Sequence, residues 1–182
     1  PWGTGGGAIA RLRATDGTTI GFDDTTFAGI VSNDYSVAVD PTPYVPLGDP
    51  RQDGQFYVAA AGTLTKHAIS TGGLLSTATF PTVTLHSVAV DTIDHSVCLA
   101  GGGSNLLNPS SGADAWAQRR TAAGSVIWTN LYAPTTGAGS PLQVFTSVDA
   151  RRGGGGCVAA GEAGALPNTD AVTVSWDGAG TQ

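Results

Sequence analysis

Residues 113–132 read ADAWAQRRTAAGSVIWTNLY, and residues 169–182 read TDAVTVSWDGAGTQ. Asp114 falls on Asp170, Ala115 on Ala171 and Gly124 on Gly180, without a gap. In the longer copy, runs carrying Trp116 and then Val126, Ile127, Trp128, Leu131 and Tyr132 flank the turn Ala122-Ala123-Gly124. That is the pattern of two short antiparallel strands joined by a tight turn. A repeated supersecondary unit, rather than a catalytic motif, therefore organises the chain.

Working outward, Ala8–Gly17 (AIARLRATDG) matches Ala115–Gly124 position for position, so a first copy of the hairpin lies near the start. Upstream of each later hairpin stands another recurring pair of runs. SVAVD occurs at Ser36–Asp40 and at Ser87–Asp91, and TSVDA at Thr146–Ala150. Each is followed by an apolar strand ending in small residues: QFYVAAAG from Gln55, VCLAGG from Val97, CVAAG from Cys157. The copy spanning Thr63–Phe80 is degenerate, with Thr63-Leu64 standing where the others have Asp-Ala. The unit is thus four strands long, and Val37, Val88 and Val148 mark it at steps of 51 and 60 residues. Four short strands repeating at about 40 to 60 residues is the spacing of β-propeller blades. The expected fold is all-β, with blades at 36–86 and 87–145 and partial blades at 1–35 and 146–182 in a single domain. One such sheet cannot bury both faces alone, so the units must stack.

Composition agrees. The chain has 182 residues with 27 Gly, 41% hydrophobic and only 12% charged residues, too apolar for a disordered chain and without the bias of a helical one. Net charge is −6, with Lys66 the single lysine, which argues against nucleic acid and anionic membranes as partners. No apolar run reaches the length of a membrane span. The chain starts at Pro1 and contains no Met, which reads as a processed product or part of something longer. About three blades' worth of strands is fewer than a closed ring needs, so both ends are expected to cut through a blade.

The series SVAVD…CLAGG…ADAWAQRRTAAGSVIW resembles the repeat of secreted bacterial β-propellers of the seven-bladed type, and is similar to quinoprotein-type blades. Residues 87–132 match best, 146–182 in part, and 8–80 weakly. The resemblance implies a propeller and is nearly silent on function, because such folds serve many roles.

Candidate chemistry is sparse. Asp40, Asp91 and Asp149 close their strands and read as turn residues that accept backbone hydrogen bonds. Asp91 and Asp94, three apart in one turn, are the weak candidates for Ca²⁺, although no DxDxDG loop with a closing Glu surrounds them. No other cofactor is expected. Asp114 and Asp170 read as residues tying a loop to a strand, with a ligand-binding propeller face as the functional alternative. Arg119-Arg120 and Arg151-Arg152 read as solvated or stacked surface pairs, with Arg119 and Arg151 as anion-clamp candidates. His67, His86 and His95 share no metal spacing. Trp116, Trp128 and Trp176 are expected between blades, and an exposed Trp would offer a sugar a stacking surface. The Gly runs lack a phosphate-loop context and read as tight turns or close approaches. Cys98 and Cys157 head matching segments, Cys98-Leu99-Ala100-Gly101 and Cys157-Val158-Ala159-Ala160. Equivalent positions on neighbouring blades are too far apart to bond, so two buried free thiols are expected.

The functional expectation is a non-catalytic extracellular or cell-surface module, structural or binding, that takes a protein partner or a second copy through incomplete blade edges, as in a filament. The alternative is a fragment of a propeller enzyme, a hydrolase, lyase or quinoprotein. That alternative requires Asp114, Asp170, Arg119 and Arg151 to converge on one face.

Overall fold

The computed structural model describes residues 9–12, 19–23, 35–40, 54–69, 71–107, 112–132, 142–165 and 168–182. Trp2, the polar insertion at 41–53 and most of the first partial blade lie outside them. The described residues are all β and contain no helix. Strands β1 (Ile9–Leu12) and β2 (Thr19–Asp23) form an antiparallel ribbon. Strands β3 (Tyr35–Asp40), β4 (Gln55–Ala60), β5 (Thr63–Ala68) and β6 (Leu74–Thr79) form a first four-stranded sheet. Strands β7 (Thr84–Val90), β8 (Val97–Ser104), β9 (Ala113–Arg120) and β10 (Val126–Tyr132) form a second. Strands β11 (Leu142–Arg151), β12 (Gly156–Ala165) and β13 (Asn168–Trp176) form a third of three strands.

Every sheet is an antiparallel meander in sequence order, as the repeat predicts. The sheets stack face to face through their first strands: β7 lies against β3 and β4, and β11 against β7, β8 and β9. Among the described residues they do not close into a ring. The second sheet lies between the other two, which is why β8 (VCLAGGGS) is buried along most of its length, and β4 (QFYVAA) is buried along its whole length. The outer strand β6 is largely exposed and reads LLSTAT.

Alternation assigns residues to junctions. On β8, Val97 and Leu99 face the first sheet, and Cys98 and Ala100 face the third. On β9, Trp116 joins the first junction, while Ala115 and Ala117 join the second. The first junction closes on Phe80 against Trp116, edge to face at 5.5 Å. The second closes on Trp176, with Trp128 and Phe145 each at 5.6 Å. The three tryptophans therefore pack between sheets, as expected.

Register corrects three alignments made from the sequence. Leu85↔Gly101 and Phe145↔Gly161 are equivalent, each followed by a bulge that leads into Ser87↔Ala100 and Ser147↔Ala160. Gly101 and Gly161 are required there, since a Cβ would run into the carbonyl oxygens of Thr84 and Val144. Counting from these pairs, Cys98 is equivalent to Val158, and Cys157 to Val97. The cysteines are thus offset by one residue, and a one-residue offset reverses the face. Cys98 points to the third sheet and Cys157 to the second, and they form a disulfide with Cα atoms 6.0 Å apart. Truly equivalent cysteines would point the same way, about 10 Å apart on stacked sheets, and could not bond. The expectation of two free thiols is therefore overturned. The same register makes Arg151, not Asp149, the counterpart of Asp91, and places Thr63-Leu64 on Trp116-Ala117 rather than on the Asp-Ala pair.

Candidate functional site

Three of the polar residues singled out from the sequence, Asp91, Asp94 and Arg119, meet at the turn end of the junction between the second and third sheets. Asp91 follows β7 and opens a turn in which its own amide bonds Ser96 O at 2.9 Å and its carbonyl accepts from His95 N at 2.8 Å. Its Oδ1 accepts from Ile93 N at 2.8 Å, and Oδ2 accepts from Gly154 N of the third sheet at 2.7 Å. Burial alone would raise this carboxyl. The amides of Gly154, Ile93, Gly153 and Asp94 outweigh it and hold the pKa below the usual carboxylate value.

Asp94 accepts from Ser96 N at 2.9 Å and from Arg119 Nη2 at 2.6 Å. Arg119 is 4% exposed, so its expected place on the surface is corrected. It sits on β9 opposite Cys98 and faces the third sheet with it. Its Nε donates to Ser96 Oγ at 3.1 Å, and its Nη1 donates to Gly178 O at 2.9 Å and Gly154 O at 3.4 Å. One guanidinium thus ties its own sheet to two turns of the next. Asp91 and Asp94, the Ca²⁺ candidates, have their oxygens directed at amides and at Arg119. Among the described residues no group of three or more His, Cys, Asp or Glu is placed to hold a metal.

The remaining candidates lie elsewhere. Asp114 sits near the start of β9, five residues and roughly 17 Å from Arg119 along the strand. It is fully buried, and its Oδ2 accepts from Leu106 N at 2.6 Å and Leu107 N at 3.0 Å, tying down the preceding loop. Asp170 occupies the matching position on β13 and is exposed. Arg151 ends β11 at the turn end but on the outer face of the third sheet, exposed, with Nη1 3.4 Å from Ser175 Oγ. Asp114, Asp170, Arg119 and Arg151 are therefore divided between opposite ends of the sheets, and no single constellation contains them.

The junction between the first and second sheets repeats the second one's chemistry, in a role that the sequence reading gave to none of its residues. Lys66 is the register equivalent of Arg119, and it donates to Ala122 O at 2.8 Å, the position equivalent to Gly178. Asp40, buried at the end of β3, accepts from His95 Nδ1 at 2.8 Å, as Asp91 accepts from the next sheet. Ser36 Oγ accepts from Val88 N at 3.1 Å, and Ser87 Oγ accepts from Val148 N at 3.1 Å. Beside Lys66 a shallow cleft runs between the two sheets, lined by Tyr57, Ser76, Arg120 and Ala122 among others. Burial, and then the nearby Asp40 charge, push the Tyr57 phenol well above its ordinary pKa. Arg120 stacks on Phe80 with Cζ 4.9 Å from the ring centre. His67 stacks on Phe56 at 4.7 Å and hydrogen-bonds Thr65 Oγ1 at 2.9 Å, a packed core histidine.

Comparison with models of known protein families and with curated proteins finds no match.

Proposed function

We propose that this chain is a non-catalytic structural or binding module that works at the cell surface or outside the cell, within a larger assembly. One observation carries the reading: the charged groups that might have built an active site are engaged in holding turns and loops and in joining one sheet to the next. Asp91, Asp94 and Arg119 bond backbone, each other and the adjoining sheet, and Asp114 bonds its own loop. A catalytic acid, base or nucleophile needs a reacting atom within reach, and none of these has its polar atoms directed at an open cavity. The Cys98–Cys157 bridge supports the location, since such bonds persist in oxidising compartments.

The test is cell fractionation followed by non-reducing peptide mapping. The Cys98–Cys157 peptide pair is expected in the surface or culture-fluid fraction. Recovery from the cytosol with free thiols sinks the location. Turnover of ester, glycosidic or redox substrates by the purified chain, abolished by Arg119→Lys without loss of thermal stability, sinks the non-catalytic reading.

A further inference from the structure

The two junctions share one register, and one place in it is filled in the second junction and open in the first. In the second, the rings of Trp128 and Trp176 lie 5.6 Å apart, and a Cβ added at Gly180 would fall 2.7 Å from Cγ of Trp128. In the first, the counterparts are small or charged. Ser76 pairs with Lys66 as Trp128 pairs with Arg119, so Ser76 stands for Trp128. Arg120 pairs with Val97 as Trp176 pairs with Cys157, so Arg120 stands for Trp176. Ala78 stands for Asn130, and Gly124, with nothing within 4 Å of an added Cβ, stands for Gly180. The cleft between the first and second sheets is lined by these four residues. It is the room that an indole fills in the next junction.

The chemistry of that room suits an anion. Lys66 Nζ donates to Ala122 O at 2.8 Å and Arg120 Nη1 donates to Gly124 O at 3.3 Å, so both cations are anchored to the cleft's own wall. Two of the chain's eight Lys and Arg side chains thus meet in one cleft, although the net charge is −6. Among the described residues no Asp or Glu lines it. Asp40, whose charge reaches Tyr57, stands outside the lining and accepts from His95 Nδ1 at 2.8 Å. Tyr57 lines the same cleft, with Lys66 Nζ 5.7 Å from its ring centre. The residue is 3% exposed, and its buried hydroxyl has no hydrogen-bond partner among the described residues. A buried hydroxyl in that state is costly, and an acceptor in the cleft would satisfy it. Burial raises the phenol's pKa, so it keeps its proton and serves as a donor. Leu64 and Val97 add apolar surface beside these groups.

We infer that this cleft binds a small aryl carboxylate, with the acid accepting from Lys66, Arg120 and the Tyr57 hydroxyl and the ring lying where the Trp128 indole lies in the second junction. The match is double. A flat apolar body replaces the missing indole, and an anion answers two cations and an unsatisfied donor. Because the cleft is shallow, one edge of the ring stays in solvent, and the expected Kd is on the order of 0.1 to 1 mM. This ligand rests on the binding half of the proposed function and gives it a chemical class.

The experiment is an NMR titration of the full oxidised chain with benzoate, beside benzamide as a neutral isostere and acetate as an acid without a ring. Benzoate should saturate, and each of the others should bind at least about tenfold more weakly, since each lacks one half of the match. Tyr57→Phe should weaken benzoate about tenfold or more. It should leave Tm no lower than the parent's, because the hydroxyl removed has no partner among the described residues. Ser76→Trp should abolish binding with unchanged circular dichroism, because Ser76 is exposed on β6 and the new indole fills the cleft as Trp128 fills its counterpart. Should that variant fail to fold, Tyr57→Phe decides. A parent that does not saturate, benzamide or acetate binding as well as benzoate, Tyr57→Phe with parental affinity, or a folded Ser76→Trp that still binds would each overturn the inference and leave the non-catalytic reading standing. Cleavage of an aryl ester by the parent and not by Ser76→Trp would overturn the non-catalytic reading and leave the cleft's ligand in place.

Discussion

Moving one cysteine by one residue tests the central structural argument. Cys98 and Cys157 bond because they are offset by one position in register, so that their side chains point at each other across the junction. In Cys98→Ala/Leu99→Cys the thiol moves to the face that meets the first sheet, where Leu99 packs with Tyr57, Leu85 and Trp116. No bridge should form, because the sulfur then lies on the far side of β8 from Cys157. The bridge spans a sequence separation of 59 residues, and the chain-entropy treatment gives about 4 kcal/mol for a loop of that size. For a domain of this length, about 2 to 4 °C per kcal/mol translates that into a fall of roughly 8 to 16 °C in Tm. The shifted variant also loses packing at Leu99, about 2 to 5 kcal/mol by comparison with other large-to-small core changes. Cys98→Ala alone separates the two effects, because it removes the bridge and leaves Leu99 in place. The assay is a thiol count in denaturant without reductant, with calorimetry in parallel. The parent should show no free thiol, Cys98→Ala one, and the shifted variant two. A shifted variant that still forms the bond would refute the register and the sheet stacking built on it.

Three further outcomes follow from the junctions. Asp91 has a pKa held below its unfolded value, so its contribution to stability is complete above the unfolded pKa and lost as pH falls through the folded one. Asp91→Asn should therefore flatten the acid limb of a Tm-against-pH curve, and a parallel limb would contradict the assignment. Ser87→Ala removes the acceptor of the buried Val148 amide and should cost about 1 to 3 kcal/mol in urea unfolding; a change within error would mean that this hydrogen bond does not hold the sheets. Gly161→Ala drives a Cβ into the Val144 carbonyl at the bulge and should destabilise far more than Gly124→Ser. At Gly124 nothing lies within 4 Å, and only its φ of +91° resists a side chain. Equal effects at the two sites would count against the bulge.

The all-β class and the four-stranded unit were legible because they depend on coarse signals. Apolar runs, turn residues and a period near 50 residues survive an alignment error of one or two positions. Trp116, Trp128 and Trp176 were placed between sheets for the same reason: a large apolar ring in a stacked unit has few other places to go. The junction chemistry was not legible at that level. Matching Cys98 to Cys157 by identity slipped the register by one and hid the disulfide. Matching Thr63-Leu64 to Asp114-Ala115 slipped it by two and hid the equivalence of Lys66 and Arg119. The bulges after Leu85 and Phe145 occupy equivalent places and do not shift one sheet against the other; what identity matching lacked was the pairing, in which Ala150↔Cys157 corresponds to Val90↔Val97. Gly101 and Gly161 were the available markers of those bulges, because both stand where a Cβ would meet a carbonyl.

The charged residues of a low-charge chain take on meaning from this register. In isolation Arg119 reads as surface, since arginine is seldom buried without partners. The structure supplies the partners: a carboxylate, a hydroxyl and two carbonyls, all four drawn from turns. Asp94 and Ser96 belong to the same turn that Asp91 opens, and Gly154 donates to Asp91 while accepting from Arg119. The acid and the cation therefore hold the same turn of the next sheet from two strands, and removing either loosens the other. In the third sheet the cation comes from the first strand, at Arg151, and the third strand carries Ser175. The change of strand leaves Arg151 exposed on the outer face while Arg119 is buried in the junction, so the same charge is structural in one sheet and solvent-facing in the next.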